Sequence, residues 1–145
     1  MKSSKKELII NHSAKDLYNI VLDIENYPEF IPWCDDVVIK SKNKNYIFAD
    51  MVVSYKLFLP QTFTSEVYFD EKNLNISTNY VKGPLKDLKT EWIFKKMKTR
   101  KTKVLFNVKF EFQKILHQKL AEIFFSLLEN KMIDSFKKRA DKILN

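Results

Sequence analysis

Three side chains in this 145-residue sequence carry thiol or imidazole chemistry: Cys34, His12 and His117. A cysteine nucleophile needs a base beside it, a catalytic histidine needs a nucleophile or a carboxylate to orient it, and a metal site needs several ligands at short spacings. Neither histidine has such a partner by spacing, no glycine-rich phosphate loop is present, and a lone cysteine forms no internal disulfide. No residue is therefore assigned a catalytic or metal-binding role. The chemistry on offer is non-covalent. Twelve Phe, six Tyr and two Trp supply flat apolar faces. The run from Lys95 to Lys103 places six cations, Lys95, Lys96, Lys98, Arg100, Lys101 and Lys103, in nine residues. That density suits anionic lipid headgroups or RNA phosphates, although a solvated strand turn carries the same composition. No aromatic residue interleaves the cations, which argues against stacking on single-stranded bases.

The elements that must position these groups follow from periodicity. Leu8-Ile9-Ile10 reads as a first strand. Ser13 is placed to cap a helix with Asp16 in its first turn, and Leu17, Ile20, Val21 and Ile24 give that helix one apolar stripe. The helix is expected to end before Pro28. The period then becomes two. Residues 37–43 and 46–57 read as a hairpin whose second strand puts Ile47, Ala49, Met51, Val53, Tyr55 and Leu57 on one face. Strands over 61–70 and 73–80 follow, the latter alternating Leu74, Ile76, Thr78 and Tyr80 against asparagines and a serine. The last two strands align Leu88, Trp92 and Phe94, then Val104, Phe106, Val108, Phe110 and Phe112, against lysines and acids. A long helix from about Leu116 to Leu144 ends the chain. The order predicts an α+β domain spanning residues 1–145, one antiparallel sheet of six or seven strands against one long helix.

That final helix poses a problem. Leu116, Leu120, Ile123, Phe124 and Leu127 fall on one side, whereas Met132, Ile133, Phe136, Ala140 and Ile143 fall roughly opposite. A straight helix cannot lay both groups on a flat sheet. Either it kinks near Asn130-Lys131, or one half faces a groove, a partner or a ligand.

A formal charge of +8 points towards an anionic partner. All but two of the basic residues are lysine, however, as codon usage in an AT-rich genome produces without functional cause. No apolar run is long enough to span a membrane, and the start of the chain lacks a signal-peptide pattern. A cytoplasmic location, or a peripheral one at the inner membrane, is expected.

The segment Tyr27-Pro28-Glu29-Phe30-Ile31-Pro32-Trp33-Cys34 closely resembles the Tyr-Pro-x-Phe-x-Pro-Trp-Cys signature of the coenzyme Q-binding START-type family, within the polyketide cyclase (SRPBCC) superfamily, which also contains the RatA-type ribosome-association toxins. Phe63-Thr64-Ser65 with Val67, then Gly83-Pro84-Leu85 with Leu88, Trp92 and Phe94, then Met132-Ile133 with Phe136, Arg139 and Ala140, fall in the family's order. The resemblance runs from about Leu8 to Leu144. Leu85 stands where a Phe is more usual, Leu59-Pro60-Gln61 replaces a glycine-containing bend, and a frequent terminal Tyr-Gly is missing.

The resemblance implies a helix-grip fold, a curved sheet wrapped around the last helix with an apolar tunnel between them. It implies one of two uses, which the fold alone does not separate. One is non-catalytic binding of ubiquinone or another polyprenyl lipid in support of respiration or quinone biosynthesis. The other is binding the large ribosomal subunit and blocking subunit association. Polyketide cyclase chemistry on the same fold is a minor third reading. Candidate wall residues are Phe30, Pro32, Trp33, Tyr55, Phe63, Leu85, Leu88, Trp92, Phe94, Phe106 and Phe136, and the 95–103 hairpin is the candidate membrane or RNA contact. No covalent cofactor is expected, and the sequence leaves oligomeric state open. Gly83, the chain's one glycine, marks either a turn needing unusual backbone geometry or a flexible lid.

Overall fold

The period-two pattern becomes a seven-stranded antiparallel sheet in the computed structural model, which describes residues 2–55, 58–111 and 118–144. The strands are β1 (Lys2–Ile10), β2 (Cys34–Lys42), β3 (Tyr46–Tyr55), β4 (Phe58–Asp70), β5 (Asn75–Lys82), β6 (Asp87–Lys98) and β7 (Lys101–Glu111). Their order, β1-β7-β6-β5-β4-β3-β2, is a six-strand meander with β1 closing on the last strand. Register shifts occur in β2, between β3 and β4, between β4 and β5, and near the β6–β7 turn. Such irregularities bend a strand and increase its twist, and this is how the sheet curls into a grip. The expected inward residues Ile47, Ala49, Val53, Phe63, Val67, Ile76, Leu88, Trp92, Phe94, Val104, Phe106, Val108 and Phe110 are all buried. Leu57, Phe112 and Leu116 lie outside the described residues.

Helix α1 (Ala14–Leu22) starts where expected. The Ser13 hydroxyl accepts a bond from the Asp16 amide, and Leu17 and Val21 are buried. The α-helix ends at Leu22, before Pro28 as expected, but past Asp23 the chain resumes as a 3-10 turn over Ile24–Glu29 that takes in Tyr27 and the proline, which was not expected. Proline disfavours an α conformation before it, yet its own φ suits a 3-10 turn. Tyr27 fastens the turn by donating its hydroxyl to the Val21 carbonyl, one of the carbonyls the end of α1 leaves open.

The closing helix α2 (Gln118–Ile143) is continuous through residue 130. Its buried or half-buried line runs Phe124, Leu128, Met132, Phe136 and Ala140. A step of four residues turns about 40° past a full turn, so this line winds around the helix instead of staying on one side. A curled sheet, joined by α1, meets a winding stripe along its whole length, which answers the question that the divided stripe raised. Leu127 is buried beside an outer groove, Ile123 is half-buried there, and Ile143 is exposed.

Candidate functional site

Between the inward faces of β3–β7 and α2 lies a cavity of about 100 Å³. Trp33, Phe63, Leu88, Trp92, Phe106 and Phe136, all expected wall residues, line it. Rings meet closely there: Trp92 lies 4.5 Å from Phe106 and 5.0 Å from Phe136 between centroids. The end of α1 and the 3-10 turn add Val21, Ile24 and Tyr27, and α2 adds Phe124, Leu128 and Met132. Among the described residues no carboxylate, imidazole or amine lines the cavity, and its one ionisable side chain is Tyr27. Burial holds the Tyr27 hydroxyl far above the ordinary phenol range, so it stays protonated.

Five expected wall residues stand elsewhere. Phe30 lies on an outer groove with Pro28 and the exposed Pro32, separated from the cavity by Tyr27 and Phe136, whose rings it meets edge-on at 5.8 and 5.1 Å. Arg139 covers Phe30 from outside and binds Glu29 at 2.9 Å, tying the Pro-rich segment to α2. The prolines and Phe30 therefore form a braced corner, and of that segment Tyr27 and Trp33 reach the cavity. Phe94 packs behind Trp92 against Leu17, Ile20, Val104 and Ile133 around a void of about 10 Å³. Leu85 fills a second small void with Pro84 and Phe124, backing Phe63 from outside the main cavity. Tyr55 lines an outer groove with Lys119, Ile123, Leu127 and Lys131 of α2.

The loop holding Leu85 is clamped. The Tyr80 hydroxyl accepts from the Leu85 amide and donates to its carbonyl, both at 2.9 Å. Gly83 has φ of +149°, and a Cβ there would meet the Thr62 carbonyl oxygen at 2.8 Å and the Tyr80 hydroxyl at 2.9 Å. Glycine serves a tight approach here, and the loop is pinned in a turn.

Periodicity also overlooked a feature of the wall. Ser65 on β4, Thr78 on β5 and Thr90 on β6 face the cavity, with Thr78 directly opposite Thr90. Alternation had already placed Thr78 in the row of Leu74, Ile76 and Tyr80; Ser65 and Thr90 share the parity of Phe63 and Trp92 but were passed over, because an alternation reading weights large apolar residues. Cys34 is buried, and burial together with the Asp35 charge pushes its thiol up to about 12, so at neutral pH it carries no thiolate.

The basic hairpin projects from the β6–β7 end. Lys95, Lys96, Lys98 and Arg100 are exposed, whereas Lys101 and Lys103 are half-buried. Lys95 and Lys103 stand directly opposite each other in register, a like-charge pairing that opposes the ladder; Glu7 approaches Lys103 at 3.9 Å. Among the described residues no helix is long and apolar enough to cross a membrane.

The chain matches the profile of the family described as polyketide cyclase / dehydrase and lipid transport over residues 10–137. It is 31% identical over 147 residues to the ribosome association toxin RatA of Rickettsia prowazekii, with 99% of each chain covered. It is 32% identical over 136 residues to the mitochondrial coenzyme Q-binding protein COQ10 of Drosophila melanogaster, covering 92% of this chain and 55% of that protein, so it spans about half of the latter's length. Among solved structures, the Zhui aromatase/cyclase of Streptomyces sp. R1128 superposes with a TM-score of 0.87 at 14% identity, covering 99% of this chain and 96% of that one. A START superfamily protein from Mycobacterium smegmatis superposes at 0.80 with 17% identity, covering 97% and 98%. At these identities the two structures speak for the fold.

Proposed function

The chain belongs to the polyketide cyclase/dehydrase and lipid transport family, and from that premise we propose that it is a non-catalytic binding protein whose cavity holds part of a small apolar molecule, a polyprenyl quinone being the class the sequence signature suggests. The observation that carries this reading is the void itself. Protein interiors close-pack, and an unfilled space of about 100 Å³ under buried aromatic side chains sacrifices contacts that folding would otherwise gain. Its lining offers no general base or acid: the Tyr27 hydroxyl is held protonated and committed to Val21.

Size limits what enters. An apolar cavity of roughly 150 Å³ admits a benzene, and this one, at about 100 Å³, is smaller, so it takes one prenyl segment as it stands and a ring only if its lining side chains move outward. The open tunnel expected from the family is here a small chamber, and a long tail would extend beyond it. Each five-carbon prenyl unit that did find apolar cover would contribute on the order of 3 kcal/mol before ordering costs. Mass spectrometry of an organic extract of the purified protein tests the proposal. A co-purifying quinone or isoprenoid lipid is expected, reduced in a folded Trp92→Ala variant; an extract empty of such lipids, from protein that also fails to take up added short-chain quinone, would sink it.

A second reading, association with the large ribosomal subunit, is favoured by the end-to-end similarity to the ribosome association toxin RatA of Rickettsia prowazekii and by the exposed basic hairpin. Added to cell extract, the protein would shift sedimentation profiles from joined ribosomes to separate subunits, and charge-neutralising Lys95, Lys96, Lys98 and Arg100 together would abolish the shift. Unchanged profiles with the parent protein would remove this reading.

A further inference from the structure

We propose that the outer face of the proline corner, residues 27–34, and the adjoining start of β2 dock a short basic segment of another protein. That segment combines lysine or arginine with apolar side chains, and neither reading given above is needed for it. The corner carries the most specific pattern in the sequence, yet the cavity uses only Tyr27 and Trp33 of it. Pro28, Phe30 and Pro32 face an outer groove, with Glu29 and Asp35 beside them. Two prolines, the Tyr27 and Phe136 rings against Phe30, and the Arg139–Glu29 bond hold that groove in one shape. A surface that is rigid before binding loses little entropy when a partner settles on it.

Charge singles out the same place. Lysine and arginine number 26 in 145 residues, yet none falls between Lys15 and Lys40, the longest cation-free run of the chain. Codon usage that scatters lysine everywhere else gives no reason for that gap. The run holds six acids, Asp16, Asp23, Glu25, Glu29, Asp35 and Asp36, in a chain whose formal charge is +8. Asp16 stands apart at the start of α1. The other five lie on the 3-10 turn, at its cap, or on the start of β2, which packs against that turn, and all five are exposed. Arg139 neutralises Glu29. Among the described residues no cation lies within ion-pair reach of Asp23, Glu25, Asp35 or Asp36. Neighbouring carboxylates without counter-charges repel one another, and a cationic partner relieves that repulsion.

The surface around the groove decides what kind of cation fits. Among the described residues no three acidic, histidine or cysteine side chains come together as a metal site. Apolar surface lies between the acids instead: Phe30 is half-buried, Pro32 is exposed, and Val38 on β2 is 51% exposed. A lone ion has no use for those faces, whereas a peptide with both basic and apolar side chains covers acids and apolar surface together. β2 is the last strand of the sheet and has no neighbour on one side among the described residues, so an extended segment can use its backbone groups there. A second copy of the chain is a poor occupant, because two molecules of net charge +8 repel each other.

The probe is a fluorescein-labelled hexapeptide alternating arginine and leucine, titrated with the full chain and followed by anisotropy, while backbone amide shifts report the place. It is expected to bind, most tightly at low salt, and to shift the amides of Glu29, Phe30 and residues 34–38. A glutamine-for-arginine peptide should bind at least about tenfold more weakly, and a serine-for-leucine peptide severalfold more weakly. In a folded Asp35→Asn/Asp36→Asn protein the affinity for the basic peptide should fall by about fivefold or more. Asparagine keeps an oxygen for the Ser54 hydroxyl, which donates to Asp35 at 2.6 Å. Should that variant fail to fold, Glu25→Gln/Asp36→Asn carries the same expectation. No binding by the basic peptide, amide shifts confined elsewhere, or unchanged affinity in the folded variants overturns the proposal. So does self-association that is abolished by neutralising Lys95, Lys96, Lys98 and Arg100, since it gives the groove to a second copy. None of the substituted residues lines the cavity, so either result leaves the ligand-binding reading standing.

Discussion

The inward face of the sheet has two halves that use the same materials and end in opposite states. Around Phe94, side chains from β6 and β7 meet Leu17 and Ile20 of α1 and Ile133 of α2, leaving about 10 Å³. Around Trp92 and Phe106, the same two strands and the same helix enclose about 100 Å³. Both halves are aromatic, so aromatic content does not decide which is hollow. The packed half receives an extra element, the apolar stripe of α1. The hollow half receives only the end of α1 and the 3-10 turn, through Val21, Ile24 and Tyr27, and carries Ala49, Ser65, Thr78 and Thr90 where a solid core would place Leu or Phe. Small inward residues make the space, and the large rings give it walls.

The largest effect expected from this contrast is in the packed half. Phe94→Ala opens a second cavity with nothing designed to fill it and should cost roughly 3–5 kcal/mol in denaturant unfolding. A loss under about 1 kcal/mol would mean the packed half is not packed. The clamp beside the hollow half comes next. Gly83→Ala combines a φ that side chains rarely adopt with a Cβ 2.8 Å from backbone oxygen, and about 1–3 kcal/mol should be lost. Ligand retention should fall with it, because Leu85 backs Phe63 and Phe124.

Filling the hollow half should reverse the usual direction of a core substitution. Thr78→Ile replaces an unpartnered hydroxyl by apolar atoms next to empty space, and stability should hold or rise by up to about 1 kcal/mol while ligand uptake is lost. Clear destabilisation would argue against a usable void. Tyr18→Phe, which removes the buried hydroxyl lacking a partner in the region of α1, should be neutral or stabilising by a few tenths of a kcal/mol up to about 1 kcal/mol and leave uptake unchanged.

The smallest effect concerns how the packed half is fastened. His12, at the end of β1, meets Asp141 of α2 at 2.8 Å. Bonds from Lys137 and then His12 hold the Asp141 carboxyl below its ordinary value. A carboxyl depressed on folding stabilises the fold above its unfolded pKa of about 3.9 and loses that contribution as pH falls through the lower folded value. The thermal midpoints of parent and Asp141→Asn should therefore differ slightly at neutral pH and converge in acid, once the folded carboxyl is protonated.

Much of this architecture was legible from side-chain order. Strand parity in β3 to β7 follows from period two, because one face of such a sheet must be buried and a one-residue slip would expose it. Six of the eleven expected wall residues line the cavity, because inward-facing large side chains either line a void or fill a core. Which of those two each one does was not legible. Phe94 and Trp92 share a strand, a face and a chemical class, and they differ only in what α1 and α2 bring against them.

The sequence by itself determined the element order, the inward face of β3 to β7, the signature segment and the family, since these depend on local geometry and on residue type. Tertiary structure alone decided where the space lies, that α2 buries a winding stripe without a break, that the proline corner braces from outside, and that three small hydroxyl side chains share one wall. Those outcomes depend on distances between segments far apart in the chain, and burial of a side chain at one position is settled by the volume of another that no local pattern names.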